Sequence, residues 1–289
     1  MTARTPSDAG RPESAALLAL ARDVAREAAA LVRERAAGAV AVAATKSSPT
    51  DVVTEADRAT EALIRDRILA ARPDDAFLGE EGGERDATAA TAGVRWVVDP
   101  IDGTVNFLYG LPRYAVSIAA ELDGRVVAGV VVDVPRGVEY AAHVGPDGTV
   151  VSTRDGAPLA VRPAAELSQR LVATGFSYDA GLRELQARAL VRLLPRVRDV
   201  RRMGAAALDL CNVADGTVDG YVEEGLHAWD HAAGCLVAEG AGARWEVTTG
   251  AGGRRLVLCA PEHGFEELRV AAAEAGYLAP GAPRDVVPD

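Results

Sequence analysis

Cysteine is scarce: Cys211, Cys235 and Cys259 are the whole complement of 289 residues. They are odd in number, far apart and set among apolar neighbours. Neither a disulfide framework nor a zinc site is indicated, and buried reduced thiols are expected. Long hydrophobic runs are missing too. Although 49% of the residues are hydrophobic, no uncharged apolar run reaches the roughly 18–20 residues that a bilayer crossing requires. The first residues are polar, with Arg4, Asp8, Arg11 and Glu13, and lack the basic-then-apolar order of a secretion signal. A soluble cytoplasmic chain with a short disordered leader, residues 1–13, is expected. Positive charge is in short supply as well. A net charge of −11 repels nucleic acid and anionic membranes at long range, and no basic cluster with interleaved aromatics offsets it. The one basic concentration, Arg196 to Arg202, reads as a strand with solvated flanks. Neither nucleic acid nor membrane is therefore an expected partner.

What is present is length enough for one large domain or two lobes sharing a core. For so acidic a chain to hold an anion, bound divalent cations are the usual means of reversing the local field. That directs attention to clustered carboxylates.

Apolar residues recur at helical spacing from Ser14 to about Ala37 and again from Thr54 to Ala71, where Ala59, Leu63, Ile64 and Ile68 mark the apolar face and Pro73 lies just beyond. Between them Ala39 to Ala44 suits a strand and Lys46 to Thr50 a loop. The middle is β-rich. Val94 to Val98 ends at Asp99-Pro100, Ala115 to Leu122 and Val126 to Val134 flank Asp123-Gly124, and Asp147-Gly148 repeats the turn signal, which together predict an antiparallel meander. After about Val161 short strands and helices alternate, with strands at Leu171 to Thr174, Val197 to Arg201, Gly220 to Glu223, Trp245 to Val247 and Leu256 to Ala260. Helices are predicted near Leu182 to Leu194, Ala205 to Asp215, after Trp229 and from Pro261 to Ala275. An antiparallel lobe, residues 14–160, should precede an α/β lobe, residues 161–279, with a loose tail, residues 280–289.

Asp99 and Asp102 stand three apart at the end of an apolar strand, with Pro100 and Ile101 between and Gly103-Thr104 following. Proline stiffens such a turn, so both carboxylates can face one side with the Ile101 carbonyl as a third hard oxygen. Gly103 permits close backbone approach, and the Gly103 and Thr104 amides can open a short helix aimed at a phosphate. On these residues alone an ordinary solvated turn is the better explanation. Glu80-Glu81 follows the buried run Phe77-Leu78-Gly79, and Asp230 stands at the start of an apolar helix, where it could simply be a cap. Asp57 has the same excuse. His227 and His231 are spaced i, i+4, but the strand-to-helix junction between them argues for a supporting role rather than a metal site.

Taken together, Trp96 to Phe107 and Trp229 to Gly234 resemble the two signature segments of the inositol monophosphatase family. The resemblance extends to Lys46 to Asp57, to Gly79-Glu80-Glu81 and to Arg202 to Cys211, and covers roughly residues 15 to 275. It implies a layered α-β-α-β-α sandwich of the sugar-phosphatase type, an α+β and α/β combination with an antiparallel N-terminal lobe and a mixed-sheet C-terminal lobe. It also implies hydrolysis of a phosphate monoester of a small polyol, inositol 1-phosphate first among candidates. Relatives acting on histidinol phosphate, fructose 1,6-bisphosphate or adenosine 3′,5′-bisphosphate share the same core.

By that resemblance two or three Mg²⁺ ions are held by Glu80, Asp99, the Ile101 carbonyl, Asp102 and Asp230, with Asp99 bridging. Asp57, Glu80 and Thr104 would be catalytic, Thr104 and Asp57 orienting or deprotonating the attacking water. Gly103 and Thr104 would meet the phosphate, and Asp102, Gly204, Ala206, Glu223 and Asp230 the polyol. Lys46, the only lysine among 31 basic residues, sits in a matching segment and suggests a compact ammonium near the acids. Ala205 departs from the pattern, since many relatives carry Ser or Thr there. A homodimer and inhibition by Li⁺ follow from the same resemblance. A regulatory binding protein that keeps a metal site is the alternative of another class.

Overall fold

The structure is a computed structural model, which describes residues 11–38, 42–45, 52–82, 84–85 and 93–281. Helix α1 runs Arg11–Ala36, so it begins inside the segment expected to be a disordered leader. A short antiparallel pair, β1 (Val42–Thr45) and β2 (Val52–Thr54), leads into α2 (Glu55–Ala71). The expected loop 46–50, with Lys46, lies outside the described residues.

An eight-stranded sheet follows, built from β3 (Ala76–Gly79), β4 (Glu84–Arg85), β5 (Val94–Asp102), β6 (Ala115–Leu122), β7 (Arg125–Asp133), β8 (Val138–Val144), β9 (Val150–Arg154) and β10 (Ala157–Pro158). The short helix α3 (Thr104–Leu108) interrupts the run after β5. Most pairings are antiparallel, as the hairpin signals predict, but β3 pairs with β5 in parallel. The reason is the connection: β4 occupies the outer edge, so the chain returns to place β5 on the inner side of β3.

The second sheet has five strands in the order β12-β11-β13-β15-β14, where β11 is Leu171–Thr174, β12 Asp199–Arg201, β13 Gly220–Glu224, β14 Ala243–Thr249 and β15 Arg255–Pro261. It is mixed: β11 pairs in parallel with β12 and β13, and β15 antiparallel with β13 and β14. The basic stretch around β12 is neutralised locally, Arg196 by Glu274 at 2.7 Å and Arg201 by Asp199 at 2.6 Å.

Side-chain alternation along the strands assigns the layers. On β5, Val94, Trp96 and Val98 pack with α1 and α2, whereas Val97 faces the opposite core. That opposite core is filled by α5 (Ala206–Ala214) and α6 (Ala228–Gly240), whose other side meets Tyr221 of β13 and Val257 and Cys259 of β15. The outer face of the small sheet, with Val222, Leu256 and Leu258, is covered by α4 (Ala180–Leu193) and α7 (Glu262–Ala275). The result is a five-layered α-β-α-β-α sandwich. The helix pair between the sheets is buried on both sides, and its alanine-rich sequence suits that position. All three cysteines are buried and free.

Candidate active site

The Asp99 to Asp102 segment is not the turn its composition suggests. It is the last part of β5, and the pairing with β6 shifts between Asp99↔Ser117 and Asp102↔Ala115, where one extra residue is accommodated as a bulge. Pro100 has no amide to give to the ladder, and the bulge turns the strand end toward the helix layer. Asp99 Oδ1 accepts the Ile101 amide at 3.0 Å. Gly103 follows at φ 93°, where a Cβ would lie 3.0 Å from the Arg113 carbonyl and 3.1 Å from that of Gly204. Only glycine fits this left-handed, crowded point.

Five other elements converge here. Helix α2 begins at a capping box in which the Thr54 amide donates to Asp57 Oδ2 at 2.8 Å and the Thr54 hydroxyl bonds the same oxygen. Asp57 Oδ1 is left to accept Thr104 Oγ1 at 3.1 Å, and that hydroxyl also lies 3.0 Å from the Ile101 carbonyl. Asp57 is therefore both a helix cap and a partner of Thr104. Burial raises its pKa above the usual range, against the opposing bonds from Thr54.

After β3 the Glu80 amide donates to the Val98 carbonyl at 3.2 Å, which sets Glu80 beside the end of β5, and its carboxyl hydrogen-bonds to Asp99. Asp102 turns to the start of α5, where its two oxygens accept the amides of Ala206 at 3.1 Å and Ala207 at 2.8 Å. Asp230, in the first turn of α6, accepts the His227 amide at 2.6 Å. Its place is the third helical residue, not the cap itself. Glu223 on β13 accepts the Tyr221 hydroxyl at 2.8 Å.

The electrostatics show how closely these acids face each other. Asp99 and Asp230 are raised well above the carboxylate range, first by burial and then by their acidic neighbours, Glu80 foremost. Asp102 is pushed up to about 7 by burial, opposed by the two α5 amides. Glu223 is also raised to about 7 by burial, opposed by the Tyr221 bond. The influences that hold down Asp102 and Asp230 include backbone amides, whereas the neighbouring side chains that act on them are carboxylates. Among the described residues no three His, Cys, Asp or Glu side chains are closed up as a finished metal cage. The donor set itself is four acids and a carbonyl, all hard oxygen, in an excess of negative charge that a hard divalent cation would relieve.

Sequence-based reasoning thus named residues that the fold brings together: Asp57, Glu80, Asp99, Ile101, Asp102, Gly103, Thr104, Glu223 and Asp230. Gly204 and Ala206 join through Asp102 and through Asn106, whose amide reaches the Met203 carbonyl at 2.9 Å. The Ala206 amide is already bound to Asp102, so it is not free for a substrate. His227 is exposed and stacks on Trp229 with ring centroids 4.6 Å apart, while His231 is buried.

Two supports escaped notice. Glu61 is 3% exposed on α2, and its Oε2 accepts the Glu81 amide at 2.7 Å, holding the loop that carries Glu80. Ile64 and Ile68 lie on the buried face of α2 as their spacing predicts, but Ala59 and Leu63 are only partly buried and the buried stripe also carries Asp57 and Glu61. An acid at i, i+4 on that stripe was the missed signal. The second is Arg113, which donates to buried Asp209 at 2.8 Å and so ties the segment after α3 to α5.

This five-layered sandwich, with a hydroxyl–carboxylate pair beside four acids and a carbonyl oxygen, is that of a phosphoric monoester hydrolase. Residues 13–279 match the inositol monophosphatase family, and the chain is a member of that family. It is 48% identical over 275 residues to inositol-1-monophosphatase SuhB of Mycobacterium tuberculosis, covering 91% of this chain and 94% of that protein. Nus factor SuhB of Escherichia coli is 38% identical over 227 residues, 78% of this chain and 83% of that one. The solved structure of Mycobacterium tuberculosis SuhB superposes with a TM-score of 0.77 at 43% identity, covering 91% of this chain and 98% of that chain.

Proposed function

We propose that the chain hydrolyses inositol 1-phosphate to inositol and phosphate, with Mg²⁺ held by Glu80, Asp99, the Ile101 carbonyl, Asp102 and Asp230. The observation that carries this reading is the crowding of acids around buried Asp99, whose pKa is raised by burial and then by Glu80, Asp102 and Asp230, while Glu80 also raises Asp102 and Asp230. Bound divalent cations supply charge neutralisation for the phosphoryl oxygens and acidify water.

The chain's own residues do the rest. Thr104 Oγ1 donates its proton toward Asp57 or the Ile101 carbonyl, leaving its lone pairs to accept from a water aimed at phosphorus. Asp57, made more basic by burial, takes the proton that this water releases by way of the Thr104 hydroxyl. The Gly103 and Thr104 amides at the start of α3 orient the phosphate. Glu223, with one oxygen bound by Tyr221, offers the other to a ring hydroxyl. Asp102 and Asp230 border the same space, and the backbone at Gly204 shapes it.

The 48% identity to a mycobacterial protein named inositol-1-monophosphatase supports this substrate over histidinol phosphate, fructose 1,6-bisphosphate and adenosine 3′,5′-bisphosphate. A cytoplasmic homodimer, inhibited by Li⁺ competing for a Mg²⁺ position, belongs to the same reading. The experiment is phosphate release from each of the four substrates. The largest kcat/KM on inositol 1-phosphate supports the assignment, and a larger value on another moves the chain to that activity.

The relative named Nus factor SuhB favours a second reading, a binding role beside catalysis. A protein partner retained by an Asp99→Asn variant without turnover would establish that role separately.

A further inference from the structure

On the α1 face of the large sheet lies a cavity of about 530 Å³ that the acidic site does not share. Arg22, Arg26 and Arg33, spaced i, i+4 and i+11 on α1, line it together with Arg136 from the turn between β7 and β8. Four guanidinium groups around one recess are conspicuous in a chain of net charge −11.

Two of them have a structural explanation. Glu139 is held by both, receiving Arg22 Nε at 2.7 Å and Arg26 Nε at 2.9 Å. The other two are less firmly held. Among the described residues Arg33 has no carboxylate partner and reaches only the Val134 carbonyl, at 3.5 Å. The Arg136 guanidinium makes only a long ion pair with buried Asp133, at 3.8 Å, and is 59% exposed, while its backbone amide donates to the same carboxylate at 3.1 Å. Asp155, the second acid in the wall, already accepts the Glu139 amide at 2.9 Å. One guanidinium without a carboxylate partner among the described residues and a second that is only loosely paired thus stand at the rim of a recess that apolar residues such as Val134 also line. Guanidinium forks match the geometry of phosphate oxygens, and the apolar lining suits an organic group attached to them.

We propose that this recess is a second binding site, for a small soluble phosphate-bearing metabolite. Its volume is that of a small-molecule pocket. The overall negative charge disfavours an anionic membrane surface. The site lies close to the chemistry. The register row Asp102–Ala115–Asp133–Val138 crosses three strand spacings, about 14 Å at the usual separation, so the turn that carries Arg136 stands at the same sheet end as Asp102.

The test is calorimetric titration of the full-length chain with inorganic pyrophosphate in the presence of EDTA, so that the acidic site repels the probe and does not hold it. The wild type should bind with a Kd at or below about 1 mM, and an Arg33→Ala/Arg136→Ala variant should bind at least about tenfold more weakly. An Arg188→Ala/Arg201→Ala variant, which removes two exposed arginines elsewhere, should bind as the wild type does. Circular dichroism confirms that each variant is folded. No binding by the wild type, or equal binding by the Arg33→Ala/Arg136→Ala variant, overturns the proposal. So does binding of phosphatidylglycerol vesicles without binding of pyrophosphate.

Discussion

Asp102 caps helix α5 from another element: its Oδ2 accepts the Ala207 amide at 2.8 Å while Oδ1 takes that of Ala206. The residue at the cap position, Ala205, makes no side-chain bond. The cap position can therefore be an alanine without leaving these two amides unbonded. A Ser or Thr at 205 would compete for amides that Asp102 already satisfies.

It follows that Ala205→Ser should not gain the usual cap increment of about 1 kcal/mol. Thermal denaturation should place it within about 0.5 kcal/mol of the wild type, the range of neutral changes. Asp102→Ala should be destabilised by about 1–3 kcal/mol through two unsatisfied amides. A clear stabilisation by Ala205→Ser would show that the amides are not held as described.

The shared bonding of Asp57 and Thr104 makes their effects on turnover interdependent. Thr104→Ala and Asp57→Asn should each lower kcat by roughly 10²–10⁴, the scale of general-base catalysis, with smaller changes in KM. The double variant should be little worse than the more damaged single one, because both act on one proton. Strictly additive losses would separate their roles.

Glu61 should behave as a positioning residue for Glu80. Glu61→Gln weakens the acceptor of the Glu81 amide, and the Mg²⁺ concentration for half-maximal activity should rise more than kcat falls. Gly79→Ala is harsher, since a Cβ there would sit 2.3 Å from Glu61 Oε2. It should cost about 1–3 kcal/mol in stability, as overpacking does. Denaturant melts and Mg²⁺ titrations of both variants measure this.

Much of this arrangement is legible from residue order. The carboxylates occur in short segments whose spacing survives folding, and the helices of the outer layers announce themselves by period. Other features depend on contacts that no local pattern encodes. Asp102 and Ala207 are joined only because the sheets close around α5 and α6. The Asp99 to Asp102 bulge reads as a turn until β6 is placed beside it. Glu61 looks like a surface acid on a helix, because its partner, the Glu81 amide, arrives from a loop 20 residues on. The parallel pairing of β3 and β5 was hidden for the same reason, as β4 is only two residues long.

The raised acids also set a pH dependence. Asp102 and Glu223 have folded-state pKa values of about 7, above the ordinary carboxylate value of about 4. The folded chain therefore holds protons that the unfolded chain has released. Their contribution to stability is complete below about pH 4 and is lost as pH rises through 7. With EDTA present, the melting temperature should be lower at pH 8 than at pH 6. Mg²⁺ should raise it more at pH 8, where the carboxylates are ionised and ready to bind. Calorimetry at both pH values tests this, and an EDTA-treated protein more stable at pH 8 contradicts it.

On the proposed function, Asp99 and its neighbours hold the cations that drive phosphate release. The most direct test is a Mg²⁺ titration of inositol 1-phosphate hydrolysis by the wild type and by folded Asp99→Asn. The wild type should be inactive in EDTA and activated as Mg²⁺ is added. The variant should lose at least roughly three orders of magnitude in kcat, about 4 kcal/mol of barrier, at every Mg²⁺ concentration. Near-normal turnover by folded Asp99→Asn, or wild-type hydrolysis unaffected by EDTA, would contradict the account.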